Sequence, residues 1–292
     1  MGYTLLLIIS VAQGIRLVLT KKFSSDTKHI KNAMNVYMLI IHPLAALYYF
    51  ILAGGNTPLN WPTFWFSLIF GLVGVGVTGF NMIGYRYASL IYISVFSGAG
   101  ATVIPFLFEL LLGREFFSVP EILSVILRLA AVCIPLLGIK KGGKSTKTGF
   151  LICALLFFLS GAVNIVYKLY GEYPGVHSDE SFCFWTNVVV LPFIVAMVFK
   201  QAGFRSLLAS AKKIKPVDYV CVIASMIIGN FCGLISIEAL RMLSATVYSI
   251  VNSSLVLVIT VIISMTLYKE KLKKETAISV LLSILAIVLS FV

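Results

Sequence analysis

Ten apolar stretches follow one another along this chain, each about as long as a bilayer is thick: roughly 2–20, 33–52, 62–85, 88–113, 118–138, 148–168, 180–199, 216–238, 243–268 and 275–292. A helix rises 1.5 Å per residue, so about 20 apolar residues cross the roughly 30 Å of hydrocarbon. Lipid offers the backbone no hydrogen bonds, so each stretch must satisfy its own N–H and C=O groups as a helix. With 60% hydrophobic residues, 12% charged residues and a mean hydropathy of +1.02, a water-soluble fold would expose far too much apolar surface. The expected fold is therefore an all-α membrane protein of ten transmembrane helices, with no room for a separate soluble domain.

The second five stretches look like a copy of the first five. An offset of 155 carries Arg86 onto Arg241, Ser89 onto Ser244, Ser94 onto Ser249 and Glu115 onto Glu270. An offset of 147 carries Gly2 onto Gly149, Gly14 onto Gly161 and Lys21 onto Lys168. An odd number of spans per copy points the two copies in opposite directions across the membrane, which makes two inverted five-helix repeats. The expected units are residues 1–143 and 144–292, joined through the lysine- and glycine-rich run from Lys140 to Lys144.

The net charge of +12 comes from loops rather than from a basic face. No basic patch interleaved with stacking aromatics lies on a soluble segment, so nucleic acid is not an expected partner. Eighteen Lys and Arg residues fall in the loops on one side of the expected bundle, among them Lys21, Lys22, Lys140, Lys212 and Lys274; Arg114, Lys168 and Arg241 fall on the other. Positive loops stay cytoplasmic, so both termini are expected outside the plasma membrane. The first ten residues lack a positive n-region and a cleavage site, so the first span reads as a retained insertion signal. The longest link, Lys200 to Lys215, reads as an amphipathic surface helix. None of the five cysteines forms a CxxC pair, and no disulfide framework, metal site or cofactor is expected.

Short motifs add a resemblance. The runs LLGRE at 111–115 and TLYKEKL at 266–272 resemble the ending of a helix in the drug/metabolite transporter superfamily, EamA-like branch. The runs YRYAS at 85–89 and EALRMLSAT at 238–246 resemble the entry to that helix, and GAVNIVYK at 161–168 resembles a further pattern of the family. Pro105 lies ten residues before Glu115, a spacing that departs from the family's. The resemblance implies a ten-helix secondary transporter. It also implies cytoplasmic termini, against the charge count, which is the physical argument about this chain.

Polar side chains within hydrocarbon are costly and mark functional sites or helix–helix contacts. The expected substrate-binding set is Gln13, Asn81, Tyr92, Ser97, Asn164, Trp185, Asn230, Tyr248 and Asn252. Ser97 and Asn252 correspond under the 155 offset. His42 beside Pro43 is expected in a packing or hydrogen-bonded role. Arg16, about one turn from the lysine-rich end of span one, is expected to snorkel there. Glu109 and Arg128 come to similar depths if their spans are antiparallel and are expected to pair, with proton coupling by Glu109 as the sharper reading. Glu115 and Glu270 are expected to cap helix ends or pair with nearby Lys or Arg.

No phosphate-binding loop, HExxH or usable GxSxG occurs, so an enzyme is not expected. The expected function is secondary transport of a small metabolite or amphipathic compound, as an exporter, by alternating access. Two rivals are a lipid or lipid-linked sugar flippase, with a cavity open sideways to lipid, and a non-transporting membrane subunit or sensor, with no central cavity. Expected partners are the small-molecule substrate and membrane lipids, with a homodimer left open. The intramembrane charges argue against a purely cationic cargo.

Overall fold

The computed structural model describes residues 2–87, 90–113, 118–137, 144–173, 178–267, 269 and 274–289. These form eleven helices and no strand among the described residues. They are α1 (Gly2–Asp26), α2 (Ala33–Leu52), α3 (Trp61–Tyr87), α4 (Leu90–Leu112), α5 (Val119–Leu137), α6 (Lys144–Glu172), α7 (Asp179–Ala202), α8 (Phe204–Lys213), α9 (Pro216–Met242), α10 (Ala245–Leu267) and α11 (Lys274–Leu289). Each of the ten apolar stretches falls on its own helix. Among the described residues, eight helices are long and apolar enough to cross a membrane: α1 to α4, α6, α7, α9 and α10. The chain is an all-α, multi-pass integral membrane protein. Ser89, Glu115, Glu270 and the 138–143 junction lie outside the described residues.

Of the other three helices, α8 is the amphipathic segment expected between Lys200 and Lys215. Leu207 and Ser210 are its buried residues, and Lys212 and Lys213 end it, where cations suit the helix dipole. Gly203, at φ +66°, makes the sharp turn from α7 into it. Asn32 Nδ2 donates to Ser206 Oγ at 2.8 Å, tying α8 to the start of α2.

Buried hydrophobics cluster between helices rather than in one layer. Tyr49, Tyr170, Phe182, Cys183 and Ile237 fill one end of the bundle, with Tyr170 and Phe182 stacked at 4.0 Å. Leu6, Ile9, Leu240 and Val251 seal α1 against α9 and α10. Lipid tails are as apolar as these side chains, so close backbone approach must supply much of the association. Glycines provide it. A Cβ at Gly71 would meet Thr186 O at 2.8 Å. One at Gly100 would overlap Phe157 O, one at Gly161 would strike Ile104, and one at Gly14 would strike Ile259. Thus α1 packs on α9 and α10, α6 packs on α3 and α4, and α5 packs on α11. Gly71 of α3 and Gly100 of α4 make such contacts within continuous helices.

Candidate functional site

A cavity of about 330 Å³ lies at the centre of the bundle, walled by α1, α2, α3, α4, α6, α7, α9 and α10. Its volume is in the range of small-molecule sites, roughly 300–1,000 Å³. Seven of the nine expected binding residues line it: Gln13, Asn81, Ser97, Asn164, Asn230, Tyr248 and Asn252. They arrive from six different helices: α1, α3, α4, α6, α9 and α10.

Several of these side chains bond one another. Asn252 Oδ1 accepts from Ser10 Oγ at 2.9 Å, and its Nδ2 donates to Gln13 Oε1 at 3.3 Å. Across the cavity, Ser97 and Ser160 hydroxyls meet at 2.5 Å. Asn164 Nδ2 donates to Ala101 O and to Ser249 Oγ, both at 3.0 Å. Tyr248 donates to Ser236 Oγ at 2.8 Å. The amides therefore join helices and line the cavity at once.

Two expected binding residues lie elsewhere. Trp185 Nε1 donates to Thr57 O at 3.0 Å, in the link between α2 and α3, and its ring packs edge-on against Phe184. An indole with an apolar body and one donor suits that end of the bundle. Tyr92 stacks on Phe96 at 5.9 Å and packs against the α4 cluster around Leu90 and Leu156. Rotation of α4 presents Ser94, Ser97 and Gly98 to the cavity instead.

Glu109 also stands apart. It is 4% exposed, accepts from Thr246 Oγ1 at 2.8 Å and borders a small separate recess with Lys168 and Glu172. Arg128, 2% exposed, turns to α10 and α11, donating to Ser253 Oγ and, at 2.8 Å, to Ser283 Oγ. The expected meeting of Glu109 and Arg128 is replaced by these serine and threonine partners, because α5 packs against α11 and brings Ser283 nearer.

The cavity also gathers residues that the sequence reading set aside. His42 Nδ1 lies 2.9 Å from Asn187 Oδ1, joining α2 to α7, in the hydrogen-bonded role expected of it. Tyr37, Tyr49, Phe70 and Tyr167 supply aromatic faces. Arg16 lines the cavity too, contrary to the expectation that it snorkels. A Cβ at Gly229 would fall 2.7 Å from Arg16 Nε and 2.9 Å from Cζ, so the guanidinium lies against that glycine. Gly229 is the middle residue of the 27-residue α9, about 20 Å from either helix end at 1.5 Å per residue. The missed signal was spacing: Gln13, Arg16 and Thr20 recur at three and four residues, one polar face of α1.

Residues 147–292, half of the chain, match the EamA-like transporter family. The chain belongs to that family. Its members are membrane transporters of the drug/metabolite superfamily and not enzymes. No curated protein matches this EamA-family chain in sequence. A solved crystal structure, described only as that of a protein, is similar at a TM-score of 0.64 and 15% identity, over 98% of this chain and 96% of that one. At that identity the likeness is one of fold alone.

In this EamA-family protein the cavity wall holds buried polar atoms without partners. His42 Nε2, Asn81 Oδ1, Ser94 Oγ and Thr186 Oγ1 are buried without a hydrogen-bond partner, and all four residues belong to the wall. Each such atom costs about 1–3 kcal/mol of lost hydration. Among the described residues, no group of three His, Cys, Asp or Glu could hold a metal ion.

Proposed function

We propose that this EamA-family protein is a secondary transporter that moves a small organic solute across the plasma membrane through the central cavity, as an exporter, by alternating access. The observation that carries this reading is a central cavity walled by eight of the helices and lined by amide, hydroxyl and aromatic side chains. A non-transporting subunit has no need of such a space.

The proposed framework is ten spans in two inverted repeats, 1–143 and 144–292. Contacts support it. Gly161 packs on Ile104 and Gly14 on Ile259, and offsets of 147 and 155 carry one pair onto the other. The same offsets carry Gln13 with Asn252 onto Ser160 with Ser97. Each half thus uses its first helix to grip the fourth helix of the other half. Two halves related in this way can rock about a shared site and expose it to either side in turn. In this reading the lysine-rich loops hold the ends of α1, α5, α7 and α10 on the cytoplasmic side and leave both termini outside.

The test is a thermal-stability screen of the purified protein against amino acids, nucleosides, sugars, organic cations, carboxylates and prenyl-lipid phosphates. A ligand at 100 times its dissociation constant adds about 2.7 kcal/mol. The expected result is a soluble solute that stabilises the parent and fails to stabilise Asn252→Ala, with that variant still folded. Response to lipid phosphates alone would turn the reading to a flippase.

A further inference from the structure

Arg16 is the one Lys, Arg, Asp or Glu among the described residues lining the cavity. No carboxylate pairs with it among the described ion pairs, and its partly exposed side chain lies against Gly229 at the midpoint of α9. A cation placed there is far from the headgroups that usually solvate a snorkelling arginine. Intramembrane charges of this kind face a water-filled or ligand-filled space and mark a substrate pathway.

The two halves treat this position differently. The offsets that relate the halves carry Arg16 onto Val163 and Gly229 onto Gly74. Val163 and Gly74 also line the cavity, but a Cβ at Gly74 would meet nothing within 4 Å. One wall therefore offers a guanidinium, and the corresponding wall offers apolar space. A solute that fits both has a charged end and an uncharged body. Phe70 and Tyr167, whose rings lie 4.3 Å apart, add an aromatic surface to that cavity.

We infer that the solute is a small organic carboxylate whose oxygens pair with the Arg16 guanidinium. The inference rests on the transporter reading and names its substrate class. Two features of guanidinium chemistry favour it. The planar fork matches two carboxylate oxygens at once, and pairing strengthens in a low-dielectric surround. The absence of any acidic residue from the described wall leaves the cation uncompensated until the solute enters.

The experiment uses the purified full-length protein and matched probes: benzoate with benzamide, indole-3-acetate with indole-3-acetamide, and glutarate with glutaramide, alongside dihexanoyl phosphatidylglycerol. Binding is read as ligand-induced thermal stabilisation and by titration calorimetry. At least one acid is expected to bind in preference to its amide. Arg16→Gln is expected to weaken that binding about 10- to 100-fold, while its unliganded melting temperature stays level or rises. A structural arginine would instead lower that temperature. Arg16→Lys, which keeps the charge and loses the fork, is expected to fall between, and guards against misfolding of the glutamine variant. Equal binding of acids and amides, acid binding unaffected in Arg16→Gln, binding of the phospholipid alone, or no binding of any acid would overturn the inference. Neutral probes that bind and are lost in Asn252→Ala would sink the carboxylate assignment and leave the transporter reading standing.

Discussion

The guanidinium of Arg16 lies across the backbone of Gly229, with its Nε 2.7 Å from where a Cβ would stand. The contact fixes where the cation sits: α9 has no side chain at its midpoint, and α1 fills the gap. Replacement of Gly229 by Ala keeps every charge and moves one. The flexible arginine end yields, so the fold is expected to survive with a stability loss of about 1 kcal/mol, while solute binding weakens about tenfold. Calorimetric titration beside a melting curve checks both. Unchanged binding with a displaced arginine would show that its position is irrelevant.

Gly100 and Gly161 are expected to be far less tolerant than Gly74. A methyl at Gly100 runs into Phe157 O and one at Gly161 into Ile104 and Gly100 O, so backbone must part from backbone. Overpacking of this kind costs typically about 1–3 kcal/mol. Gly74→Ala meets nothing within 4 Å and gains helix propensity of about 1 kcal/mol. Melting temperatures of the three alanine variants should therefore rank Gly74→Ala highest; any other order would contradict the packing described.

Asp179 and Arg241 close one end of the bundle. Arg241 donates from Nη1 and Nη2 to the two carboxylate oxygens at 2.8 and 2.6 Å, linking the start of α7 to the end of α9. Below this pair lie Cys183, Tyr170 and Phe182, all buried. Asp179→Asn removes a two-pronged, partly exposed ion pair worth about 1 kcal/mol, which should raise the population open at that end about fivefold. Modification of Cys183 by a water-soluble thiol reagent, followed by mass spectrometry, should accelerate by that factor. A rate equal to the parent's would exclude the pair from closure.

Trp185 offers a control outside the cavity. Trp185→Phe loses the hydrogen bond to Thr57 O and is expected to cost about 1 kcal/mol of stability with solute affinity unchanged. A loss of affinity without a loss of stability would bring Trp185 back into the site.

Much of this protein is set by sequence alone, because lipid solvates each helix separately. Apolar length therefore places the long helices, and lysine- and glycine-rich runs place the links, without knowledge of any partner. The amphipathic α8 was legible for the same reason. So was the polar set within hydrocarbon, since burying Gln13, Asn164 or Asn252 needs a reason wherever they point. Direction was not legible. Whether Arg16 reaches back to the lysine-rich end or across to α9 depends on Gly229, more than 200 residues away. Whether Glu109 meets Arg128 depends on α5 packing against α11, which offers Ser283 instead. Tyr92 and Trp185 left the expected site because glycine contacts turned other faces of α4 and α7 inward. Hydropathy is a property of one helix against lipid. The inward face of a helix is a property of its neighbours, and close glycine contacts between distant residues decided it.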